Sequence, residues 1–337
     1  MKAIIIESPG GPEKLKIKAV TKPQPGKGQA LIKVKAFGIN RAELYMREGK
    51  WPEIAEIIGI ECVGLIEYDP SGTFKTGQKV AAIMGGMGRS INGSYAEFTC
   101  APLTNLIAID TGLEWNMFAA IPESFASAWG ALNMALQIEK GQTLLIRGAT
   151  SAFGLAAIIL AKQAGLTVIG TTRSEQKRAM LINIGADYVF IENSGLLKNV
   201  RQIFPNGTDW LLDLIGSTTI MNSSKIAKPE GMVCMAGFLG GRSFMDRFQS
   251  FAEKTLQKKG SLCVKLPGRA KVVVFASSAF GTRHFPLSKI PLQKIVSDIE
   301  EKIIPSIIAG SYRFEEIAKA HEQLGNNKAN GKIVVVL

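Results

Sequence analysis

A strand, a turn of small residues and an apolar helix follow one another within residues 143–165. The strand covers 143–147 and the turn 148–154, and a second apolar strand at 167–171 follows at the spacing of a βαβ unit. Such a unit is right-handed and places both strands in a parallel sheet that is covered on its two faces. This segment therefore predicts an α/β fold.

Four further apolar strand candidates alternate with amphipathic helices downstream, at 188–191, 209–214, 231–236 and 271–275. With the first two, they make six strands, which is enough for a doubly wound, Rossmann-type parallel sheet. We expect this sheet to fill a central domain of residues 121–262, with its last strand lying in the segment 263–337.

The first 110 residues have a different texture, because glycine- and proline-rich turns separate short β-type runs. We predict strands at 3–6, 29–36, 64–68, 79–83 and 95–100, and a helix over 122–141. Helices are expected near 292–304 and 314–324, with a short segment at 310–312 between them and a final strand at 332–337. Since this last piece is too short to fold alone, we expect it to complete a discontinuous, β-rich domain that begins with residues 1–120, with ligand bound between the two domains.

Charge and cysteine content restrict the function classes. Lysine and arginine exceed aspartate and glutamate by 40 to 28, but they are scattered rather than arranged with aromatic residues, which favours a solvated basic surface over a nucleic-acid site. The four cysteines form no CxxC pair, and the two histidines, His284 and His321, have no partners at metal-ligand spacing. We therefore predict no metal site, and structural or surface roles for both histidines.

The apolar runs also bear on location. The longest aliphatic run, 155–161, is far shorter than the roughly 18 residues of a membrane span. The N-terminal residues lack the basic leader and apolar core of a signal peptide. We therefore expect a cytoplasmic protein without a membrane partner.

The turn after the first parallel strand is the main candidate binding site. Small residues let main-chain N–H groups approach a pyrophosphate, and the following helix adds partial positive charge at its N-terminus. A strict GxGxxG is absent, so the prediction depends on the strand before and the helix after; the alternative is an ordinary packing turn. The predicted contacts are Gly148, Ala149, Thr150, Ser151, Ala152, Phe153 and Gly154.

The end of the second strand predicts which nicotinamide dinucleotide binds. An NAD site needs an acidic residue there to accept from the ribose 2′-hydroxyl, and none is present. Arg173 and Lys177 instead offer cationic donors to a 2′-phosphate. Thr172 precedes them, and Ser174 is predicted both to donate to the phosphate and to cap the next helix. The sequence therefore predicts NADPH as the cofactor; the alternative is a set of exposed basic residues without a ligand.

The order of elements resembles the medium-chain dehydrogenase/reductase superfamily, and in particular its zinc-independent quinone oxidoreductase branch. The segments that carry the resemblance span nearly the whole chain: 38–47, 59–64, 93–98, 148–154, 170–174 and 331–334. The resemblance implies a GroES-like catalytic domain beside the Rossmann domain, and a homodimer. It also implies that Gly237, Phe238 and Leu239 lie near the nicotinamide, and that Asn40 and Tyr45 line the catalytic end.

Relatives with catalytic zinc carry a cysteine soon after the glycine that matches Gly38, and a histidine between those that match Gly59 and Glu61. Here these positions hold Asn40, Arg41 and Ile60. The resemblance therefore implies hydride transfer without a metal, which favours a quinone or an α,β-unsaturated carbonyl, because conjugation spreads the negative charge that develops. Tyr45 is a candidate donor to that charge.

The sequence is also compatible with other functions. The reaction is also compatible with an enoyl reductase acting on a fatty-acid or polyketide-like substrate. A protein that binds NADPH or RNA without turnover is a further alternative, because a fold does not establish an activity. Asp213, at a strand end, is interpreted as a structural hydrogen-bond acceptor, and Arg89, in a glycine- and methionine-rich segment, as either a substrate contact or a solvated side chain.

Overall fold

The computed structural model describes residues 1–51, 53–237, 255, 262–265, 269–327 and 329–337. Contacts within the chain divide it into two compact units. Unit 1 consists of Met1–Ala126 and Phe280–Leu337, and unit 2 consists of Ser127–Ala279.

The strands, in chain order, are β1 (Lys2–Ile6), β2 (Leu15–Ala19), β3 (Gln29–Ile39), β4 (Glu61–Tyr68), β5 (Lys79–Ile83), β6 (Phe98–Pro102), β7 (Leu106–Ala108), β8 (Thr143–Arg147), β9 (Thr167–Thr172), β10 (Tyr188–Ile191), β11 (Thr208–Asp213), β12 (Ala227–Met235), β13 (Cys263–Lys265), β14 (Lys271–Val274), β15 (Ile308–Arg313) and β16 (Lys332–Val336). The helices of the described residues are α1 (Arg41–Arg47), α2 (Trp115–Ala119), α3 (Pro122–Trp129), α4 (Ala152–Gln163), α5 (Arg178–Ile184), α6 (Leu196–Ile203), α7 (Ile220–Ile226), α8 (Leu292–Glu300) and α9 (Ile317–Gly325). A π-helical segment, Gly130–Leu136, continues α3.

Unit 2 is built on a seven-stranded sheet in the order β10-β9-β8-β11-β12-β14-β13. The first six strands pair in parallel, which confirms the predicted doubly wound sheet and its six strands. The seventh, β13, pairs antiparallel with β14 at the edge and was not predicted. It has only three residues, all of them exposed, and is too short to be recognised as an apolar run.

The core of unit 2 forms where apolar side chains of the sheet meet the helices. Leu145, Ile169, Leu211 and Val233 contribute from four neighbouring strands and are almost completely buried. On one side, α6 adds Val200, which is also fully buried. These strands read as continuous apolar runs because both faces of a parallel sheet are covered.

Unit 1 contains a largely antiparallel sheet in the order β15-β16-β3-β4-β5-β7, with β6 also paired to β3, and a separate β1-β2 hairpin. The last strand of the chain, β16, pairs antiparallel with β3, with Val335 opposite Phe37. The C-terminal segment therefore contributes a strand to the sheet that the first hundred residues begin.

Several predicted elements have other ends in the structure. The strand predicted at 231–236 begins at Ala227, and the helix predicted near 292–304 ends at Glu300. The strand expected at 95–100 begins only at Phe98. The helix expected at 122–141 changes to π-helical geometry at Gly130 and ends at Gln137, whose φ is 56°. Asn133 gives a physical reason, because its side-chain amide donates to the carbonyl of Trp129 at 3.1 Å and so competes with the regular helical bond to that oxygen.

Candidate functional site

The strand order of unit 2 defines where a ligand is expected. From β8 the chain proceeds outwards to β9 and β10, whereas β11 lies on the other side of β8 and is followed by β12. Open parallel sheets bind ligands beyond the carboxyl ends of the strands at such a reversal. The residues that follow β8 are the predicted turn, 148–154.

The turn has the geometry of a tight approach between strand and helix. Gly148 has a φ of 78°, a conformation that favours glycine. Ser151 is the N-cap of α4, and its hydroxyl accepts from the N–H of Gly154 at 3.1 Å. A Cβ on Gly154 would lie 2.6 Å from the carbonyl oxygen of Ala149, so only glycine fits at this position.

The other turn residues differ in burial. Ala149 is buried, whereas Thr150, Ala152 and Phe153 are partly exposed. The first N–H groups of an α-helix have no acceptor within the helix, and they carry the partial positive charge of its N-terminus. A partly exposed, glycine-lined helix start of this kind fits a pyrophosphate group.

The end of β9 presents two cationic side chains close together. Arg173 is exposed and Lys177 is partly buried. Burial and then the positive charge of Arg173 lower the pKa of the Lys177 ammonium below its usual value of 10.5. The neighbouring Arg178 is instead neutralised, because it forms an ion pair with Glu175 at 2.5 Å. Like charges that destabilise each other in this way favour the binding of an anion.

Ser174 does not cap the following helix, so that prediction was wrong. Its hydroxyl contacts the side-chain oxygen of Gln176 at 2.6 Å, and the segment Glu175–Lys177 is a 3-10 turn without a side-chain cap. The turn is instead held by Thr172, whose hydroxyl accepts from the N–H of Ser174 at 3.1 Å. The Ser174 hydroxyl therefore bonds to a neighbouring side chain and not to the backbone of the next helix. The spacing of residues in the sequence did not indicate this choice of partner.

Gly237 lies just beyond β12, where a Cβ would come within 2.3 Å of the carbonyl oxygen of Leu214. This close packing is sufficient to require glycine at position 237, whether or not a ligand binds there. Phe238 and Leu239, which were predicted to lie near the nicotinamide, lie outside the described residues.

Asp213 is confirmed as a structural acceptor. It is fully buried and accepts from the N–H of Gly216 at 3.0 Å and from the hydroxyls of Thr219 and Ser223 at 2.8 and 2.6 Å. These bonds fix the start of α7 to the end of β11.

In unit 1, Asn40 begins α1 and belongs to a buried network of charged side chains. Its side-chain amide donates to Glu61 at 2.9 Å, and its carbonyl oxygen accepts from the ammonium of Lys332. Lys332 and Glu61 also form an ion pair, with only 1% of each side chain exposed. Burial works against the Lys332 ammonium, but the charges of Glu61 and Glu123 raise its pKa above the usual 10.5. Both polar atoms of the Asn40 side chain are therefore held in place.

Glu43 adds a second carboxyl to this network. It accepts from the N–H of Asn40 at 2.9 Å, which completes a capping box, and from the N–H of Ile60 at 3.2 Å. Burial raises its pKa from 4.5 to about 7, against the opposing charge of Lys332. The sequence indicated Asn40 but not the Lys332–Glu61 ion pair to which it bonds, because Lys332 is 292 residues away from Asn40 in the chain.

Tyr45 and Arg89 lie on the more accessible parts of unit 1. Tyr45 is on the same short helix as Asn40 and is partly exposed. Arg89 lies over the ring of Trp51, with 5.4 Å from its guanidinium carbon to the ring centre. The sequence predicted either a substrate contact or a solvated side chain for Arg89 and did not indicate this cation–π contact.

A second buried polar group, not found from the sequence, connects Arg47, His321 and Tyr95. Arg47 bonds to Nδ1 of His321 at 3.4 Å, and Nε2 of His321 bonds to the Tyr95 hydroxyl at 2.9 Å. Because arginine only donates, Nδ1 accepts and Nε2 carries the proton. Burial and then the charge of Arg47 lower the pKa of His321 from 6.5 to about 3. The structural interpretation of His321 is thus confirmed, and the partly exposed His284 contacts Arg283 at 3.0 Å.

This pKa predicts acid sensitivity. Between pH 6.5 and 3 the unfolded chain binds a proton at His321 that the folded protein does not, so stability falls as pH falls. From pH 7 to pH 5 the loss from this group is about 2 kcal/mol. Glu43, whose folded pKa is raised, changes stability in the opposite direction in part of this range. We therefore expect urea unfolding to show the loss as a difference between wild type and His321→Gln; parallel pH curves would contradict it.

Among the described residues, no three His, Cys, Asp or Glu side chains are grouped so as to hold a metal ion. Cys62 and Cys234 are buried, and burial raises the pKa of both thiols far above 9. No helix in the described part of the chain has both the length and the apolar character that crossing a bilayer requires.

Comparison with known families matches both units. Residues 26–111 match the alcohol dehydrogenase GroES-like domain, and residues 152–278 match a family described as zinc-binding dehydrogenase. The chain belongs to the medium-chain dehydrogenase/reductase superfamily. The predicted fold class, a Rossmann-type sheet with a GroES-like part, is confirmed, and the chain is an oxidoreductase of a superfamily that binds nicotinamide cofactors.

Individual relatives of this medium-chain dehydrogenase/reductase cover its whole length. A quinone oxidoreductase from Lama guanicoe is 27% identical over 346 residues, covering 100% of this chain and 98% of the relative. A mycobacterial protein solved in complex with NADPH superposes with a TM-score of 0.80 at 23% identity, over 100% of both chains. A quinone oxidoreductase from Pseudomonas syringae gives a TM-score of 0.80 at 22% identity, over 100% of this chain and 99% of that one.

Proposed function

We propose that this chain reduces a quinone or an α,β-unsaturated carbonyl with NADPH and without zinc. The observation that carries the proposal is the pair of neighbouring cations, Arg173 and Lys177, at the end of β9. Glu175, the acidic residue that lies between them in the chain, forms an ion pair with Arg178. The binding of NADPH by the mycobacterial structural relative supports the same choice.

The described residues of unit 2 fit this dinucleotide. The Gly148–Gly154 turn would hold the pyrophosphate through main-chain N–H groups, since Gly154 lets the helix start lie against Ala149. Thr172 and Ser174 shape the turn that presents Arg173, and Arg173 with Lys177 would bind the 2′-phosphate. When bound, NADPH supplies a hydride.

Replacing the two cations tests the preference for NADPH. We expect Arg173→Ala and Lys177→Ala each to weaken NADPH binding by roughly tenfold while changing NADH affinity little, because only NADPH carries the 2′-phosphate. Calorimetric titration of each protein with both cofactors measures this. Lys198→Ala, which removes one exposed positive charge from α6, is the matched control. Equal NADPH and NADH affinities in the wild type would contradict the assignment.

The network around Asn40 supports reduction without a metal. The positions that hold cysteine and histidine in zinc-dependent relatives hold Asn40 and Ile60, and Asn40 is bonded to the buried ammonium of Lys332. Isoleucine offers no ligand atom, and both polar atoms of the Asn40 side chain are already bonded, so these positions lack the cysteine and histidine donors that zinc prefers. We propose that Asn40 orients the reacting groups and that Tyr45 donates its hydroxyl proton, or a hydrogen bond, to the substrate oxygen.

Tyr45→Phe tests that donor. We expect the turnover number to fall roughly 10- to 100-fold, because a hydrogen bond to the developing negative charge is lost. NADPH affinity should not change, since the ring and its packing remain. Steady-state kinetics with the best substrate, together with calorimetry, separate the two effects; unchanged turnover would remove Tyr45 from the mechanism.

The deciding experiment for the proposed function is NADPH oxidation across a panel of quinones, enones and enoyl thioesters. Turnover with quinones or simple enones supports the proposal, and turnover confined to enoyl thioesters would instead identify an enoyl reductase. Tight NADPH binding without turnover, or salt-dependent RNA binding without NADPH binding, would overturn it. A homodimer in the cytoplasm remains a prediction.

A further inference from the structure

A row of polar side chains crosses the ends of the strands in unit 2, beneath the proposed dinucleotide site. Arg147, the last residue of β8, is paired with Asp213 at the end of β11. On its other side β8 neighbours β9, where Ile146 lies opposite Gly170, so Thr171 is the next lateral neighbour of Arg147. Glu192 follows directly after β10 and extends the row by one more strand.

The centre of this row is a buried ion pair. The guanidinium of Arg147 bonds to both carboxyl oxygens of Glu192, one of them at 3.2 Å from Nε. Only 4% of the Arg147 side chain and 13% of the Glu192 side chain are exposed. Arg147 also donates to the hydroxyl of Ser223 at 2.8 Å, and Ser223 in turn donates to Asp213 at 2.6 Å.

This ion pair is connected to both parts of the proposed cofactor site. The Thr171 hydroxyl donates to Glu192 at 2.9 Å and accepts from the N–H of Gly148, the first residue of the turn, at 3.4 Å. The N–H of Glu192 donates to the carbonyl of Thr172 at 2.8 Å, so its backbone lies beside the residue that precedes Arg173. The pair therefore lies within a few residues of the groups that would bind the pyrophosphate and the 2′-phosphate.

Charge explains why the arginine matters here. Glu192 and Asp213 are two buried carboxylates near a site that is to bind phosphates, and Arg147 is the cation that contacts one directly and the other through Ser223. Without Arg147 the row carries two negative charges. The repulsion would act on a 2′-phosphate, which adds up to two negative charges to the cofactor, more than on a 2′-hydroxyl.

We propose that Arg147 is a specificity-determining residue, which masks the Glu192 carboxylate and so permits binding of a 2′-phosphorylated nicotinamide dinucleotide over its unphosphorylated form. The inference deepens the proposed function and rests on it. It assigns selectivity to a buried residue of the sheet in addition to Arg173 and Lys177 on the surface. Neither Arg147 nor Glu192 was recognised from the sequence.

Three variants with different total charge test the proposal. Arg147→Gln adds one negative charge to the row relative to wild type, Glu192→Gln removes one, and the double variant restores the wild-type sum. We define selectivity as the Kd for NADH divided by the Kd for NADPH, both from calorimetry on the full chain. We expect Arg147→Gln to lower it about tenfold, Glu192→Gln to raise it severalfold, and the double variant to return near the wild-type value.

The expected changes in selectivity have opposite signs in the two single variants, and this distinguishes an electrostatic effect from damage to the fold. A merely structural role of the pair predicts that both single variants weaken both cofactors together, and such a result overturns the inference. Thermal unfolding shows whether Arg147→Gln folds. If it does not, the other two variants still test the inference, which requires a higher selectivity in Glu192→Gln and a selectivity near the wild-type value in the double variant. A wild type that binds neither cofactor overturns the proposed function as well, whereas NADPH preference without this order of variants overturns only the role of Arg147.

Discussion

Gly154→Ala is expected to destabilise the protein by about 1–3 kcal/mol and to weaken NADPH binding by roughly 10- to 100-fold. The added Cβ would lie 2.6 Å from the carbonyl oxygen of Ala149 and 2.7 Å from two other backbone atoms of that residue. The helix start must therefore move away from the turn, and its N–H groups move with it. Urea unfolding measures the first effect, and calorimetric titration with NADPH measures the second.

A loss of stability in Gly154→Ala would be informative, because alanine normally stabilises a helix by about 1 kcal/mol relative to glycine. Gly325, the last residue of α9, provides a matched control, since a Cβ there would meet only Leu44, at an ordinary 3.8 Å. Gly325→Ala is expected to be neutral or stabilising and to leave NADPH binding unchanged. If Gly154→Ala behaved like Gly325→Ala, close packing at the turn would not be what requires glycine.

Lys332→Met is expected to lower the stability of the protein by about 3–5 kcal/mol, because it leaves the Glu61 carboxylate buried without its partner. Only 1% of either side chain is exposed, so water does not compensate. The same change removes the ammonium that bonds to Asn40, so we expect turnover to fall even in conditions where the variant is folded. Urea unfolding at pH 7 and steady-state kinetics measure the two losses.

The double variant Lys332→Met/Glu61→Gln separates charge from packing. Glutamine carries no charge and keeps one oxygen. That oxygen can accept from one of the two donors that Glu61 binds with separate oxygens, the Asn40 amide at Oε1 and the N–H of Glu123 at Oε2, both at 2.9 Å. We expect the double variant to recover part of the lost stability and little of the turnover. Lys319→Met is the surface control: its side chain is 70% exposed, and its ion pair with Glu316 should contribute less than about 1 kcal/mol. A single variant as stable as wild type would show that the buried pair is dispensable.

Much of unit 2 was predictable from local sequence. Buried parallel strands are continuous apolar runs, so 143–147, 188–191 and 271–275 were located within one residue of their observed ends. The turn at Gly148 and its helix were likewise visible in the spacing of small residues. The edge strand Cys263–Lys265 was missed because a strand of three residues is too short to show a pattern.

The candidate site was predictable only in part. Asn40, Tyr45, Arg173 and Lys177 were singled out from motifs and from a missing acidic residue, and their roles remain proposals. The buried ionic contacts were not predicted. Lys332 lies 292 positions away from Asn40, to which it bonds, and Glu192 lies 45 positions away from Arg147. The partner of Ser174 was not predicted either, although it lies only two positions away: its hydroxyl contacts Gln176 and does not cap the helix.

The sequence by itself determined the class of fold, the position of the turn after β8 and the cationic end of β9, because these depend on hydrophobic periodicity, glycine spacing and residue type within short segments. Only the tertiary structure decided which charges neutralise one another. Ion pairs such as Lys332–Glu61 and Arg147–Glu192 form when segments distant in the chain join one sheet, in each case with one strand between the two that position the partners, and burial then affects the charge state of each group. Pairing and desolvation are properties of the assembled sheet, and no local pattern of residues encodes them.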